Sequence, residues 1–170
     1  AIDTLLEKIS SNKIISMPEG ARVEGGDVML CGDYVFIGYS EEEDFNKFQV
    51  ARTNKAAIDF LQSAFPNKKV RGFELKKSDS NPKDNALHLD CCFQPIGEQS
   101  AIMYAGGFKN TSDVDFLVNH FGEENIIFIT REEMYEMNSN VFSISPKVIL
   151  SEKGFVRLNN ELKNKGFTVE

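Results

Sequence analysis

At 170 residues, with 41% hydrophobic and 26% charged side chains, the chain has the makeup of an ordinary globular protein that can bury a core, and nothing in it reads as disordered. A net charge of -7 and a pI near 5.0 exclude a nucleic-acid surface, which needs clustered Lys and Arg, and suit a cationic small molecule better. There is no apolar run of the roughly 18 residues that a membrane span needs, and Cys31, Cys91 and Cys92 make neither a disulfide framework nor a ligand set, so the expectations are no membrane, a reduced cytoplasmic setting and no metal.

Taken in order, Ile2 to Ile9 has helical spacing and Lys13 to Ser16 suits a short strand, with a turn at Pro18-Glu19-Gly20. Val23 to Leu30 alternates in part and runs into Cys31-Gly32-Asp33, after which Tyr34 to Gly38 is a second strand, so a tight antiparallel hairpin is predicted. The acidic run Ser40 to Asp44 reads as a solvated loop or a helix start. Thr53 or Asn54 can cap a helix in which Ala57, Ile58, Leu61, Ala64 and Phe65 recur at helical spacing until Pro66 stops it. Lys69 to Leu75 is a third strand, and Lys76 to Asn85 is a polar loop without a core residue.

The order strand, strand, helix, strand then recurs. Leu87 to Phe93 and Ala101 to Ala105 are strands, Ser112 to Phe121 is a helix capped by Thr111 or Ser112, and Asn125 to Thr130 is a buried β-branched strand. A third round comprises Asn140 to Ile144, Val148 to Leu150, a helix from Phe155 to Lys165 stopped by Gly166, and a strand opening at Phe167. One domain of three ββαβ modules, near 23–76, 86–130 and 140–170, is therefore predicted, with a period of roughly fifty to sixty residues. The chain opens at Ala1 without Met and stops in what reads as mid-strand, so a fragment of a longer protein is expected.

The chemistry concentrates in Ala86 to Gly97, A-L-H-L-D-C-C-F-Q-P-I-G. As a strand, this stretch puts His88 and Asp90 on one face and Leu87, Leu89 and Cys91 on the other. In the competing reading His88 caps a strand end and Asp90 opens a turn. If the modules stand around an axis, their first strands converge on a central channel, and V-E-G-G-D-V-M-L places Glu24 as His88 is placed. Gly25 and Gly26 then mark a bulge or a close approach, and Asp27 suits a turn or backbone hydrogen-bonding role.

E-G-G-D-V at Glu24 to Val28, F-I-G-Y-S at Phe36 to Ser40, R-T-N at Arg52 to Asn54, L-H-L-D-C at Leu87 to Cys91 and N-V-F-S-I-S-P-K from Asn140 together resemble the guanidine-modifying superfamily called penteins. That superfamily includes arginine deiminases, amidinotransferases and dimethylarginine dimethylaminohydrolases. The resemblance implies an α/β-propeller of five ββαβ modules, of which about three are present here. H-L-D resembles the deiminase and amidinotransferase pattern; some dimethylarginine hydrolases carry another residue where Asp90 stands. In relatives G-Y-S runs almost directly into R-T-N, whereas here Glu41 to Ala51 intervene and lengthen a loop near the site.

What the resemblance implies chemically agrees with the residue types. Glu24 and Asp90 would bind a planar guanidinium through charge-assisted, bidentate hydrogen bonds. His88, with Glu24, would serve as the acid and base, a Cys thiolate would attack the guanidine carbon, and Gly25, Gly26 and Asp27 would shape the site. The partner is then a small arginine-like guanidino substrate, and neither metal nor cofactor is needed. The family nucleophile lies on the first strand of the last module, beyond Glu170, so no Cys here matches it. Cys91 points away from His88 by alternation, Cys92 reads as packing and Cys31 sits in a hairpin turn. An opened ring exposes apolar flanks, so association into a homo-oligomer is expected. A non-catalytic propeller used as a binding module is the alternative, and an unrelated α/β interaction domain the third reading.

Overall fold

The computed structural model describes residues 7–11 and 14–170. Most of the helix expected over Ile2 to Ile9 and the start of the strand expected from Lys13 lie outside the described residues; residues 7–9 form a turn and bend, and Ile14 to Ser16 join no ladder.

Strands β1 (Val28–Cys31) and β2 (Tyr34–Tyr39) form an antiparallel hairpin closed by Gly32 and Asp33, with Gly32 at φ 53. A two-residue turn that follows the twist of its strands needs positive φ, which glycine adopts without a Cβ clash. The chain continues through helices α1 (Glu42–Lys47) and α2 (Lys55–Ala64) and returns parallel to β2 as β3 (Lys69–Glu74). The second round is β4 (Phe93–Ile96), β5 (Ser100–Met103), α3 (Thr111–Phe121) and β6 (Ile126–Phe128). Helix α4 (Arg131–Tyr135) leads to the third: β7 (Phe142–Ser145), β8 (Val148–Leu150), α5 (Val156–Asn164) and β9 (Thr168–Val169). Each sheet holds three strands in chain order, so the expected ββαβ repeat is the architecture. None of the described helices is long and apolar enough to cross a membrane.

Strands this short cannot stabilise three separate sheets; the seams between modules do. One apolar core runs through Phe36 and Phe73, then Phe93 and Leu117, then Ile149 and Leu158. A fully buried side chain of this size contributes about 1.5–3 kcal/mol. Strand β2 is buried on both faces because Val35 and Ile37 pack with Leu61 of α2, while Phe36 turns to the second module and meets Phe93 at 6.1 Å. Arg71 closes this seam, pairing with Asp113 of α3 at 3.1 Å and lying 3.9 Å over the Phe116 ring.

Two strand expectations fail in the same way. Gly25–Asp27 and Leu89–Cys91 are single 3-10 turns, and the strands begin only at Val28 and Phe93. Neither stretch finds a ladder partner: each closes its own turn, the Asp27 N–H on the Glu24 carbonyl and the Cys91 N–H on that of His88, and around Leu89–Cys91 side chains take further backbone groups, as detailed below. The competing reading, with His88 at a cap and Asp90 in a turn, is the one observed. The acidic run is a helix start, and it continues as α1 with Asp44 buried. Helix α4 was not expected, although Thr130 and Glu133 form a capping box that Thr-x-x-Glu announces.

Candidate active site

Glu24 and His88 occupy matched positions. Each is an extended residue at the cap of the 3-10 turn that precedes its module's first strand, at φ -115, ψ 150 and φ -133, ψ 172. The equivalence expected from the repeat therefore holds, although through turns and not strands. The two turns lie against each other because position 26 has no side chain: a Cβ there would stand 2.9 Å from Asp90 Oδ2 and 3.0 Å from His88 Cβ. Gly25, in contrast, has open space around it. The close approach brings His88 Nε2 to 2.7 Å from Glu24 Oε2, while Glu24 Oε1 lies 3.5 Å from Arg52 Nε.

Three side chains from three segments hold the His88 turn. Asp27 Oδ1 accepts the Leu89 N–H at 2.9 Å, and Oδ2 accepts the Thr53 hydroxyl at 2.6 Å. Thr53 Oγ1 in turn accepts the Glu24 N–H at 3.1 Å, so one chain of bonds links both turns. Burial raises the Asp27 carboxyl above its ordinary range, against the lowering effect of the Thr53 bond. Lys77 Nζ donates to the carbonyls of Ala86 and Leu87, each at 2.7 Å, and burial pushes its ammonium below the usual value. Ser139 Oγ lies 2.8 Å from the Asp90 carbonyl and 2.7 Å from that of Cys91. The backbone on both sides of His88 is thus satisfied by side chains, which is why no strand is needed there.

Cys91 corrects a second expectation. A 3-10 turn has about three residues per turn, so positions three apart share a side. His88 and Cys91 are so spaced, and the His88 ring nitrogen, an Asp90 oxygen and Cys91 Sγ all lie within 4.8 Å of one another. This trio is what could hold a metal ion among the described residues, although no ligand spacing in the sequence suggested it. Its thiol donates to Asp90 Oδ1 at 3.6 Å, and burial first, then the carboxylate, pushes it up to about 11. Cys92 is fully buried in the core, where burial holds its thiol well above its ordinary value, and Cys31 is half-buried.

The Glu24–His88 contact stands between two clefts. One, of about 290 Å³, is lined by His88, Asp90 and Cys91 opposite Leu87, Met134 and Met137. The other, of about 440 Å³, is lined by Glu24, Arg22 and Arg52 with Val23, Phe45 and Ala51. A cation meets carboxylate and imidazole in the first, and an anion meets two guanidinium groups in the second. A further cleft of about 390 Å³, between the two hairpin tips, holds Cys31 and His120 but none of the matched residues. Sequence reasoning missed Lys77, Ser139 and the part played by Thr53. Only Thr53, inside R-T-N, carried a signal; Lys77 and Ser139 lie in polar stretches without one.

The sequence matches the family model for N,N dimethylarginine dimethylhydrolase, eukaryotic, over residues 2–165. It is 29% identical over 147 residues to the uncharacterized protein YkgA of Bacillus subtilis (strain 168), covering 86% of this chain and 44% of that protein. Among solved structures it is similar to the N-terminal domain of ArgZ bound to product, an arginine dihydrolase from the ornithine-ammonia cycle in Cyanobacteria. That likeness has a TM-score of 0.72 at 19% identity and covers 91% of this chain and 50% of the other. It is also similar to DDAH from Pseudomonas aeruginosa, a Cys-to-Ser mutant complexed with citrulline, with TM-score 0.72 at 19% identity over 99% of this chain and 56% of the other. The chain spans about half the length of these relatives, and the fold it shares with the solved ones is the pentein fold expected from the motifs.

Proposed function

Because the chain belongs to the eukaryotic N,N dimethylarginine dimethylhydrolase family, we propose that it forms the carboxylate and imidazole part of a site that hydrolyses guanidino compounds. The observation that carries this reading is the Glu24–His88 contact at 2.7 Å with Asp90 on the adjoining turn. Asp90 and Glu24 bind the guanidinium, and Glu24 also orients the His88 ring. A Cys thiolate attacks the guanidine carbon, and the C–N bond to the departing amine breaks as His88 delivers its proton. The resulting S-linked thiouronium is then attacked by water, which gives up a proton to His88, and the ureido product leaves with regeneration of the thiolate. Water as the acceptor follows the hydrolase family; an acceptor amine in its place would make the protein an amidinotransferase.

In this reading the thiolate comes from outside the present sequence. Cys91 shares the His88 cleft, but a thiol held at about 11 carries almost no thiolate at neutral pH. The test is to incubate the chain with arginine, methylated arginines and agmatine, following binding by calorimetry and product as ureido compound. Binding without turnover is expected, with turnover in a longer protein that includes the nucleophile. Absence of any binding would overturn the reading, and turnover abolished by Cys91→Ser would move the nucleophile into this chain.

A further inference from the structure

Helix α4 ends in a Schellman turn. The Asn138 N–H reaches back to the Glu133 carbonyl at 2.9 Å and the Met137 N–H to that of Met134 at 3.0 Å. This pair of bonds closes a helix when the residue after its cap turns left-handed, a place that glycine ordinarily takes. Here Met137 takes it, at φ 65, and among the described residues no other non-glycine residue has a positive φ. A Cβ in that conformation crowds the following carbonyl, so the fold carries a cost at this position.

The core gives little back for that cost. Met134, one turn earlier, is 2% exposed and belongs to the apolar core, whereas Met137 is 41% exposed. Its side chain stands instead in the cleft of His88, Asp90 and Cys91, where it lines the opposite wall with Leu87 and Met134. Two residues further on, the turn is locked to that cleft: Ser139, itself fully buried, bonds the carbonyls of Asp90 and Cys91 at 2.8 and 2.7 Å. A sparsely populated backbone conformation persists where its surroundings over-determine it. The end of α4 supplies one set of ties and the His88 turn the other.

We propose that Met137 is the cover of the guanidino site, and that its left-handed backbone is kept because it stands an unbranched apolar side chain against the cleft. The flexible thioether adapts to what it lies on and shuts water away from a cation held by Asp90. Charge-assisted bonds are stronger where water is excluded, and salt screens them less there. This rests on the guanidino reading above and adds to it a residue that tightens binding at the guanidine end, whatever the rest of the ligand carries.

The experiment combines melting curves with calorimetric titration of the full chain by arginine and by agmatine, which share the guanidine and differ in the tail. Met137→Gly removes strain and cover together. The melting temperature rises by about 2–4 °C, while both ligands weaken alike by about five- to tenfold and their binding becomes more sensitive to added sodium chloride. Met137→Ala removes the cover and keeps the strain, so it weakens both ligands with no gain in melting temperature. Met137→Leu recovers most of the affinity. A Met137→Gly chain that binds as tightly as the parent, or that melts no higher, overturns the cover while the guanidino reading stands, and so does arginine weakened with agmatine unmoved. If the unmodified chain binds neither ligand, the guanidino reading fails and the cover with it.

Discussion

Asp27 reaches across a module boundary to Leu89, accepting its N–H at 2.9 Å, and so a residue of the first module fixes the turn that carries His88 and Asp90 in the second. Its burial raises the carboxyl, so its stabilising contribution is full below the unfolded value of 3.8 and is lost as pH rises through the folded one. At neutral pH the ionised group bears a desolvation cost that its two accepted hydrogen bonds offset. Asp27→Asn removes the cost but leaves one donor, Thr53 or Leu89, without an acceptor. A net loss of about 1–3 kcal/mol is expected, read as a lower urea midpoint. A variant as stable as the parent would show that Leu89 and Thr53 do not depend on this carboxylate.

Asp90 is placed differently. Among the described residues its carboxylate has only the weak thiol contact with Cys91 at 3.6 Å to lose, so the fold depends little on it. Asp90→Asn keeps the size and removes a charge-assisted bond worth about 1.5–3 kcal/mol, so arginine affinity falls by roughly one to two powers of ten. The melting temperature stays the same. Parallel loss of stability and affinity would instead assign Asp90 a structural task.

The two sites of difficulty in the sequence have one physical cause. The strands, the three longer helices and the module order were legible because those elements have an apolar period, as in Val35 to Ile37 or Leu158 to Leu162. Glu24, His88 and Asp90 were legible as residues and as equivalent positions. Their geometry was not, because alternation presumes that neighbouring strands satisfy the backbone. At Leu89, Asp90 and Cys91 that satisfaction comes from Asp27 and Ser139, which are distant in sequence and unmarked by any period. The same long-range ties turned Glu41 to Ala51 from a lengthened loop into an anchored helix, since Lys109 and Asp79 supply its partners from elsewhere in the chain.

Cys91 gives the protein an alkaline weakness. Its folded thiol titrates at about 11, above the reference value of 9.0, so the stability it lends is full below pH 9 and is lost as pH rises toward 11. Urea midpoints of the parent should fall across that interval, and those of Cys91→Ala, already lower from the lost packing, should fall less. Iodoacetamide at pH 7.5 should label Cys91 slowly, at a rate that climbs with pH. Rapid labelling at neutral pH would mean an activated thiolate and would reopen Cys91 as a nucleophile.

The third module leaves uncovered a face that the first module buries. On β1 and β2, the cross-strand pair Met29 and Phe36 lies on the face away from α2, with 8% and 0% exposure, packed against the second module. On β7 and β8 the pair Phe142 and Leu150 is 66% and 50% exposed, and Ile144 beside it is 57% exposed. Apolar side chains clustered on one sheet face favour contact over solvation, at about 25 cal/mol for each Å² removed from water. The isolated chain should therefore associate with itself, with a sedimentation coefficient that rises with concentration. Phe142→Lys combined with Ile144→Lys should return it to a monomer without lowering its melting temperature, because neither side chain packs in the core. A parent chain that sediments as a monomer at every concentration would show that this face is tolerated in water and does not draw copies together.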